Sequence, residues 1–134
     1  MIKVACGSKH MMALTNEKNV YSWGSGEGGQ LGHGNEAGLD KPQLIASLRN
    51  LDIIFIAAGD SISGAIDLNG QLWLWGMGNF GRLGLGTEEN INMPKPINDA
   101  SLEKEKMFFV ALGFYHTICA TGKYLNLFNP FLNL

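Results

Sequence analysis

The sequence is poor in charge: Asp, Glu, Lys and Arg make up 16% of its 134 residues, below the usual quarter or so. Ten Lys and Arg face twelve Asp and Glu, a net charge of −2. No positive field exists to hold a phosphate backbone, so direct nucleic-acid binding is not expected. Cysteine is equally scarce, and Cys6 and Cys119 alone make no disulfide framework. Four prolines and no Gly-X-Y period exclude collagen and a proline-rich linker. The opening Met1-Ile2-Lys3-Val4 is not a basic stretch followed by a long apolar run, so no signal peptide is expected. The apolar tail from Tyr124 to Leu134 carries three Asn and a Pro and is too short to span a bilayer. No membrane partner is expected, and the default is an intracellular protein, cytoplasmic or nuclear.

What the chain has is glycine and apolar residues. Hydrophobic residues reach 46%, enough for a core. Glycine occurs 18 times, about twice its average share of roughly 7%. The glycines recur. When the sequence is slid by 52, Gly7 falls on Gly59, Gly24 on Gly76, Gly26 on Gly78, Gly29 on Gly81, Gly32 on Gly84 and Gly34 on Gly86. Trp23 falls on Trp75, Leu31 on Leu83, Pro42 on Pro94 and Ile45 on Ile97. In all, 14 identities accumulate where composition alone gives roughly three, so the chain is an internal repeat. A third copy starts near Phe108: shifted by 54, Ala57 falls on Ala111 and Gly59 on Gly113, and His10 reappears as His116. The extra residues fall in Glu103-Lys104-Glu105-Lys106, a helical turn or a solvated loop. After Thr121-Gly122 the third copy loses its pattern. The expected units are 1–50, 51–106 and a partial, degenerate 107–134.

Within one repeat the pattern is that of strands. Ile53 to Ala58 is a short apolar, β-branched run ended by glycine, and Ile62 to Asp67 is a second. Asn69-Gly70 is a hairpin signal, because both residues tolerate positive φ. Gln71 to Trp75 reads as a third strand, a glycine-rich loop from Gly76 to Gly86 follows, and Pro94 to Ile97 reads as a short fourth. Three or four antiparallel strands per 52 residues describe one propeller blade. The expected fold is all-β: β-propeller blades of antiparallel strands forming an incomplete propeller.

Specific residues then carry a family resemblance. Val4-Ala5-Cys6-Gly7-Ser8-Lys9-His10, Ala13-Leu14-Thr15, Val20-Tyr21-Ser22-Trp23-Gly24 and Gly29-Gln30-Leu31-Gly32-His33-Gly34 resemble the repeat of the regulator of chromosome condensation family. The second copy keeps Ala58-Gly59, Trp75-Gly76-Met77-Gly78 and Gly81-Arg82-Leu83-Gly84-Leu85-Gly86, with Ile62 where His is usual. The third keeps Gly113-Phe114-Tyr115-His116-Thr117. The resemblance implies a seven-bladed β-propeller, which needs on the order of 350 residues; this chain supplies about two and a half repeats. Some members are ultraviolet photoreceptors that use tryptophans beside the Gly-x-x-His step. Ser8, Asp60 and Phe114 stand at those positions, so photoreception is not expected.

Several motifs invite chemistry and have structural explanations. Gly24-Ser25-Gly26-Glu27-Gly28-Gly29 and Gly76-Met77-Gly78-Asn79-Phe80-Gly81 match the dinucleotide fingerprint. That fingerprint needs a helix next to take the pyrophosphate, whereas further glycines follow, so an interblade turn is the reading and no cofactor is expected. Cys6-x-x-x-His10 and His116-x-x-Cys119 resemble a zinc set, but they fall two blades apart and four ligands must converge on one point. No metal is expected. His33 is expected in an exposed loop. No serine sits in a nucleophile elbow, and the carboxylates Glu88-Glu89 and Glu103 to Glu105 read as solvated surface. Trp23, Trp73 and Trp75 read as core, with Trp23 and Trp75 equivalent.

The expected function is a protein-interaction module without catalytic residues. The resemblance implies a protein partner, a small GTPase or a chromatin protein, with guanine nucleotide exchange achieved by binding alone. The alternatives are a substrate-recruiting propeller of a large ubiquitin ligase, or a truncated product without activity of its own. Further blades in cis or self-association are expected to complete the array. The residues after Gly7, Gly59 and Gly113 form equivalent loops that should open on one face, which makes Lys9, Asp60, Phe114 and Tyr115 the candidate protein-binding residues. Phe114 and Tyr115 either form a hot spot there or pack under the tail from Leu125 to Leu134.

Overall fold

The computed structural model of the chain describes residues 2–98, 105–122 and the strand 125–128. Its strands form three antiparallel sheets in chain order. The first holds β1 (Lys3–Cys6), β2 (His10–Leu14), β3 (Val20–Gly24) and β4 (Leu39–Leu44); the second holds β5 (Ile53–Ala58), β6 (Ile62–Asp67), β7 (Leu72–Gly76) and β8 (Ile91–Pro96). The third holds β9 (Met107–Leu112), β10 (Thr117–Thr121) and β11 (Leu125–Phe128). Each sheet is a meander of neighbours, as a blade requires. The strand β11, paired to β10 from Thr117↔Phe128 to Ala120↔Leu125, continues the third sheet past the point where the repeat pattern fades. Backbone pairing survives there because it needs no particular side chain. The fourth strand of the second repeat begins at Ile91, three residues before the Pro94 start expected, and Glu103 and Lys104 lie outside the described residues.

The core lies between blades. One cluster joins Met12, Leu14, Val20, Ile45 and Leu48 of the first blade to Ile53, Ile56, Ala65 and Trp75 of the second. The other joins Ile62, Ile66, Leu72, Leu74, Leu83 and Ile97 of the second to Met107, Val110 and Cys119 of the third. Period-2 alternation on β2 sends His10, Met12 and Leu14 into the first seam. It sends Met11, 41% exposed, to the opposite face with half-buried Ala13. Tyr21 and Trp23 on β3 are likewise only half-buried, although Trp75 has no exposure at all. The two tryptophans are equivalent in sequence and unequal in burial because a seam covers Trp75 and none among the described residues covers Trp23.

Two glycine positions set the blade spacing. Gly7 and Gly59 end β1 and β5, and each donates its N–H to the carbonyl three residues on, at His10 (2.9 Å) and Ile62 (2.8 Å). A Cβ on Gly7 would lie 2.3 Å from the Gly59 oxygen, and one on Gly59 would lie 2.6 Å from the Gly113 oxygen. Gly24 and Gly76 need left-handed backbone, with φ of 107° and 113°, and a Cβ on either would meet the carbonyl oxygen of Lys9 or Ser61 at 2.5 Å. The hairpin expected at Asn69-Gly70 joins β6 to β7. Of the two residues only Gly70 adopts positive φ (82°). The buried Asp67 carboxylate governs that turn, accepting from the N–H groups of Asn69 (2.9 Å) and Gln71 (3.1 Å) and from Trp73 Nε1 (3.1 Å).

Two outcomes follow. Gly59→Ala should destabilise the chain by about 1–3 kcal/mol through overpacking. Gly113→Ala should be nearly neutral, within about 0.5 kcal/mol, since the nearest described atom to its Cβ would be 3.6 Å away. Urea unfolding of both variants checks this, and equal costs would mean that the seam does not set the requirement. The isolated chain, with the face of Met11 and Trp23 uncovered, should also self-associate or unfold with weak cooperativity. A compact monomer of ordinary cooperativity in sedimentation and denaturant titration would contradict that.

Candidate protein-interaction face

The loops after Gly7, Gly59 and Gly113 stand at one end of the three inner strands. They are tied side by side through the backbone: Ser8 N–H donates to the Asp60 carbonyl, and Asp60 N–H to the Gly113 carbonyl, both at 3.3 Å. Asp60 is further held by its own side chain, since Oδ1 accepts from Ser8 Oγ (2.5 Å) and Oδ2 from Ser61 Oγ (3.1 Å). Two clefts open among these loops. One of about 350 Å³ is lined by Cys6, Ser8, Asp60, Leu112 and Phe114 among others. The second, of about 330 Å³, adds Lys9, Glu27, Ser61 and Met77. Lys9, Asp60 and Phe114 therefore meet at one cleft, while Tyr115 sits behind Phe114.

The aromatic residues are mutually braced. Phe114 is 54% exposed and lies 4.3 Å from the half-buried Tyr115 ring at 70°. Phe80, 41% exposed, meets Tyr115 edge to face at 4.9 Å and 84°. Arg82 supports the group from within: its guanidinium lies 5.3 Å from the Tyr115 ring centre. Its Nη1 donates to the Phe114 carbonyl at 2.5 Å and its Nε to the Asn79 carbonyl at 2.9 Å. Burial lowers the Arg82 pKa, opposed by the charge of Asp60 and by Tyr115. The side chains of the tail lie outside the described residues, and with them the alternative that Phe114 and Tyr115 pack beneath it.

Sequence reasoning missed Phe80. It holds left-handed backbone, φ 64°, at a bulky residue, a strained choice that a structure retains only where its surroundings compel it. The signal was present in the 52-residue slide, where Phe80 falls on Gly28. Sequence reasoning also missed a relay behind the loops. Ser63 Oγ donates to the Gln30 carbonyl at 2.8 Å, so at its 2.8 Å contact with His10 it accepts from Nε2–H. His10 Nδ1 is then unprotonated, buried and without a partner among the described residues. Trp75 Nε1 donates to the same Gln30 carbonyl at 2.9 Å. At the next seam Thr117 Oγ1 donates to the Arg82 carbonyl at 2.7 Å.

Other residues are placed apart. Cys6 is exposed at the end of β1, and Cys119 is buried on β10, where burial pushes its thiol up to about 11. No three His, Cys, Asp or Glu converge on a point among the described residues. His33 is not in open solvent as the sequence suggested. It is half-buried, with Nε2 2.9 Å from Ser22 Oγ, a hydroxyl that itself donates to the Leu31 carbonyl at 2.6 Å.

The family model of the regulator of chromosome condensation (RCC1) repeat matches residues 18–66 and 69–120, and a second model of that repeat matches residues 1–30. The chain belongs to the RCC1 repeat family. Among its relatives, the mouse E3 ubiquitin-protein ligase HERC2 is 38% identical over 122 residues, covering 90% of this chain and 2% of the ligase. The Arabidopsis thaliana ultraviolet-B receptor UVR8 is 39% identical over 116 residues, 87% of this chain and 26% of the receptor. The solved structure of Prp20p from Saccharomyces cerevisiae superimposes with a TM-score of 0.81 at 23% identity, over 92% of this chain and 32% of Prp20p. The chain thus spans at most about a third of the length of these proteins, and what it shares with Prp20p is the propeller fold.

Burial drives the His10 pKa down to about 4, against the opposing charge of Asp60. Below its ordinary 6.5 the unfolded chain binds a proton that the folded chain refuses. Stability should therefore fall as pH drops from about 6.5 to about 4, by on the order of 3 kcal/mol, and level off below. Urea midpoints at pH 7 and pH 4.5 measure the loss. A His10→Gln chain that keeps the same slope would assign the effect to another group.

Proposed function

We propose that the chain is a protein-binding module of an RCC1-type propeller that acts on a small GTPase by binding, as part of a guanine nucleotide exchange factor. The observation that carries this reading is the convergence of three equivalent loops on one face, where Arg82 holds the exposed Phe114 and the half-buried Tyr115 in place. Braced aromatics give large contact area for little lost rotamer freedom. Exchange on such a face is remodelling of the bound GTPase and uses no covalent residue. Lys9 and Asp60 belong to the same face, Asp60 pre-ordered by its two serines. The division into blades at 1–50, 51–106 and 107–134 is part of this reading, supported by one sheet in each span. So is an intracellular site of action, in cytoplasm or nucleus. Support for the partner class comes from Prp20p, whose binding properties to Gsp1p and histones have been described. A second reading, a substrate-recruiting propeller within a large ubiquitin ligase, draws on the 38% identity to HERC2. It uses the same face, and the sequence flanking the propeller in the full gene separates the two.

Changing Phe114 and Tyr115 together to Ser in the full-length protein should weaken partner capture by tenfold or more, about 1.4 kcal/mol, with the circular dichroism spectrum preserved. Capture and folding both unchanged would remove the face from consideration. Loss of folding alone would return the pair to a packing role.

A further inference from the structure

Asn69-Gly70 turns the chain between β6 and β7 and has a chemistry of its own, apart from the binding face. Of the asparagines in the sequence, only Asn69 is followed by glycine. Glycine has no Cβ, so its main-chain nitrogen is the least hindered nucleophile toward the carboxamide of the residue before it. Asn69 is exposed, as is Leu68 at 61%, so the site is open to water.

The hairpin holds that nucleophile in check. Gly70 N–H donates to the Asp67 carbonyl at 2.9 Å. The buried Asp67 carboxylate grips the turn on both sides, taking the N–H groups of Asn69 and Gln71 on one oxygen. Two further bonds sew the hairpin to its surroundings. Leu68 N–H donates to the Asp52 carbonyl at 3.0 Å, just before β5. The Gly70 carbonyl accepts from Met107 N–H at 2.9 Å, at the start of the third blade. Gly70 itself is buried, and a Cβ there would stand 2.7 Å from the Lys106 α-carbon. Attack on Asn69 Cγ requires the Gly70 nitrogen to leave the Asp67 carbonyl, and these bonds oppose that movement.

We propose that Asn69 is a site of spontaneous covalent modification, gated by opening of the β6–β7 hairpin, and that its product loosens the junction between the second and third blades. In the first step the Gly70 nitrogen bonds to Asn69 Cγ. Its proton and the side-chain amino group leave together as ammonia, which closes a succinimide. Water then opens the ring: its hydroxyl bonds to one ring carbonyl carbon, and its proton goes to the nitrogen freed by the broken C–N bond. Opening at Cγ leaves aspartate. Opening at the main-chain carbonyl leaves isoaspartate. No oxidant or reductant takes part. Either product sets a carboxylate beside Asp67, a like charge next to a buried one. Isoaspartate also lengthens by one carbon a stretch of main chain that Asp67 and Met107 hold at either side.

The test holds the full-length protein at pH 8, either folded or in guanidinium, and cleaves it after Arg49 and Arg82. Mass spectrometry of peptide 50–82, which also carries Asn50 and Asn79, places any conversion of amide to acid. Conversion should fall at Asn69 and run faster in denaturant by about tenfold or more, because the rate follows the open population. Asp67→Ala should bring the folded protein toward the denatured rate, and Asn69→Gln should abolish the signal. In aged, folded protein the converted fraction should exchange the Met107 amide hydrogen faster. Conversion confined to Asn50 or Asn79, equal rates with and without guanidinium, or no conversion of the folded protein over weeks would overturn the proposal. So would a folded Asp67→Ala protein with an unaltered rate, or unchanged exchange at Met107. Should Asp67→Ala fail to fold, the unaltered protein with and without guanidinium decides the gate.

Discussion

The architecture depends on how closely one blade can approach the next. Glycine α-carbons at positions 7 and 59 lie against the carbonyl of the following blade's glycine, at a distance no side chain could tolerate. That contact brings the inner strands together and sets the loops after them shoulder to shoulder. The second tie lies deeper. The carbonyls of Gln30 and Arg82, each carried on a glycine-rich loop, reach into the next blade and accept from Ser63, Trp75 and Thr117. Apolar burial supplies the bulk of the seam, but these hydrogen bonds fix its register, because a carbonyl left unpaired there would carry its full desolvation cost.

Much of this was legible because repetition makes structural necessity visible. Glycines that recur at a fixed spacing mark a backbone constraint, and the strands Ile53–Ala58 and Ile62–Asp67 have the limits their apolar runs suggest. What stayed hidden is what breaks the repeat. The His10–Ser63–Gln30 relay uses a histidine that becomes Ile62 one repeat later and a serine that is Met11 one repeat earlier. A period search discards such residues as noise. The unequal burial of Trp23 and Trp75 was hidden for another reason: burial belongs to the neighbour, and an identical residue is core or surface according to what stands beside it.

The candidate face was readable only in outline. Counting from the glycines put Lys9, Asp60, Phe114 and Tyr115 in equivalent loops, but their roles differ once side chains are placed. Asp60 turns inward to two hydroxyls, and Tyr115 becomes the middle of a three-ring cluster joined edge to face. The cluster depends on Phe80, whose backbone a bulky residue rarely adopts, and on Arg82, whose buried guanidinium bonds to main chain in two blades. Neither choice can be deduced from propensity, since each is imposed by the adjoining blade.

The seam bonds that the Gln30 and Arg82 carbonyls accept also run one way. The first and second blades each give a carbonyl forward, and the blade that follows supplies hydroxyl or indole donors backward, so the array has a direction, like a row of hooks and eyes. Two such arrays cannot join by these ends through a twofold axis, since that would set hook against hook. Joining end to end must be heterologous, and its products are a closed ring or an open filament. The family ring is one of those two products. The same polarity in an array that fails to close leads to the other.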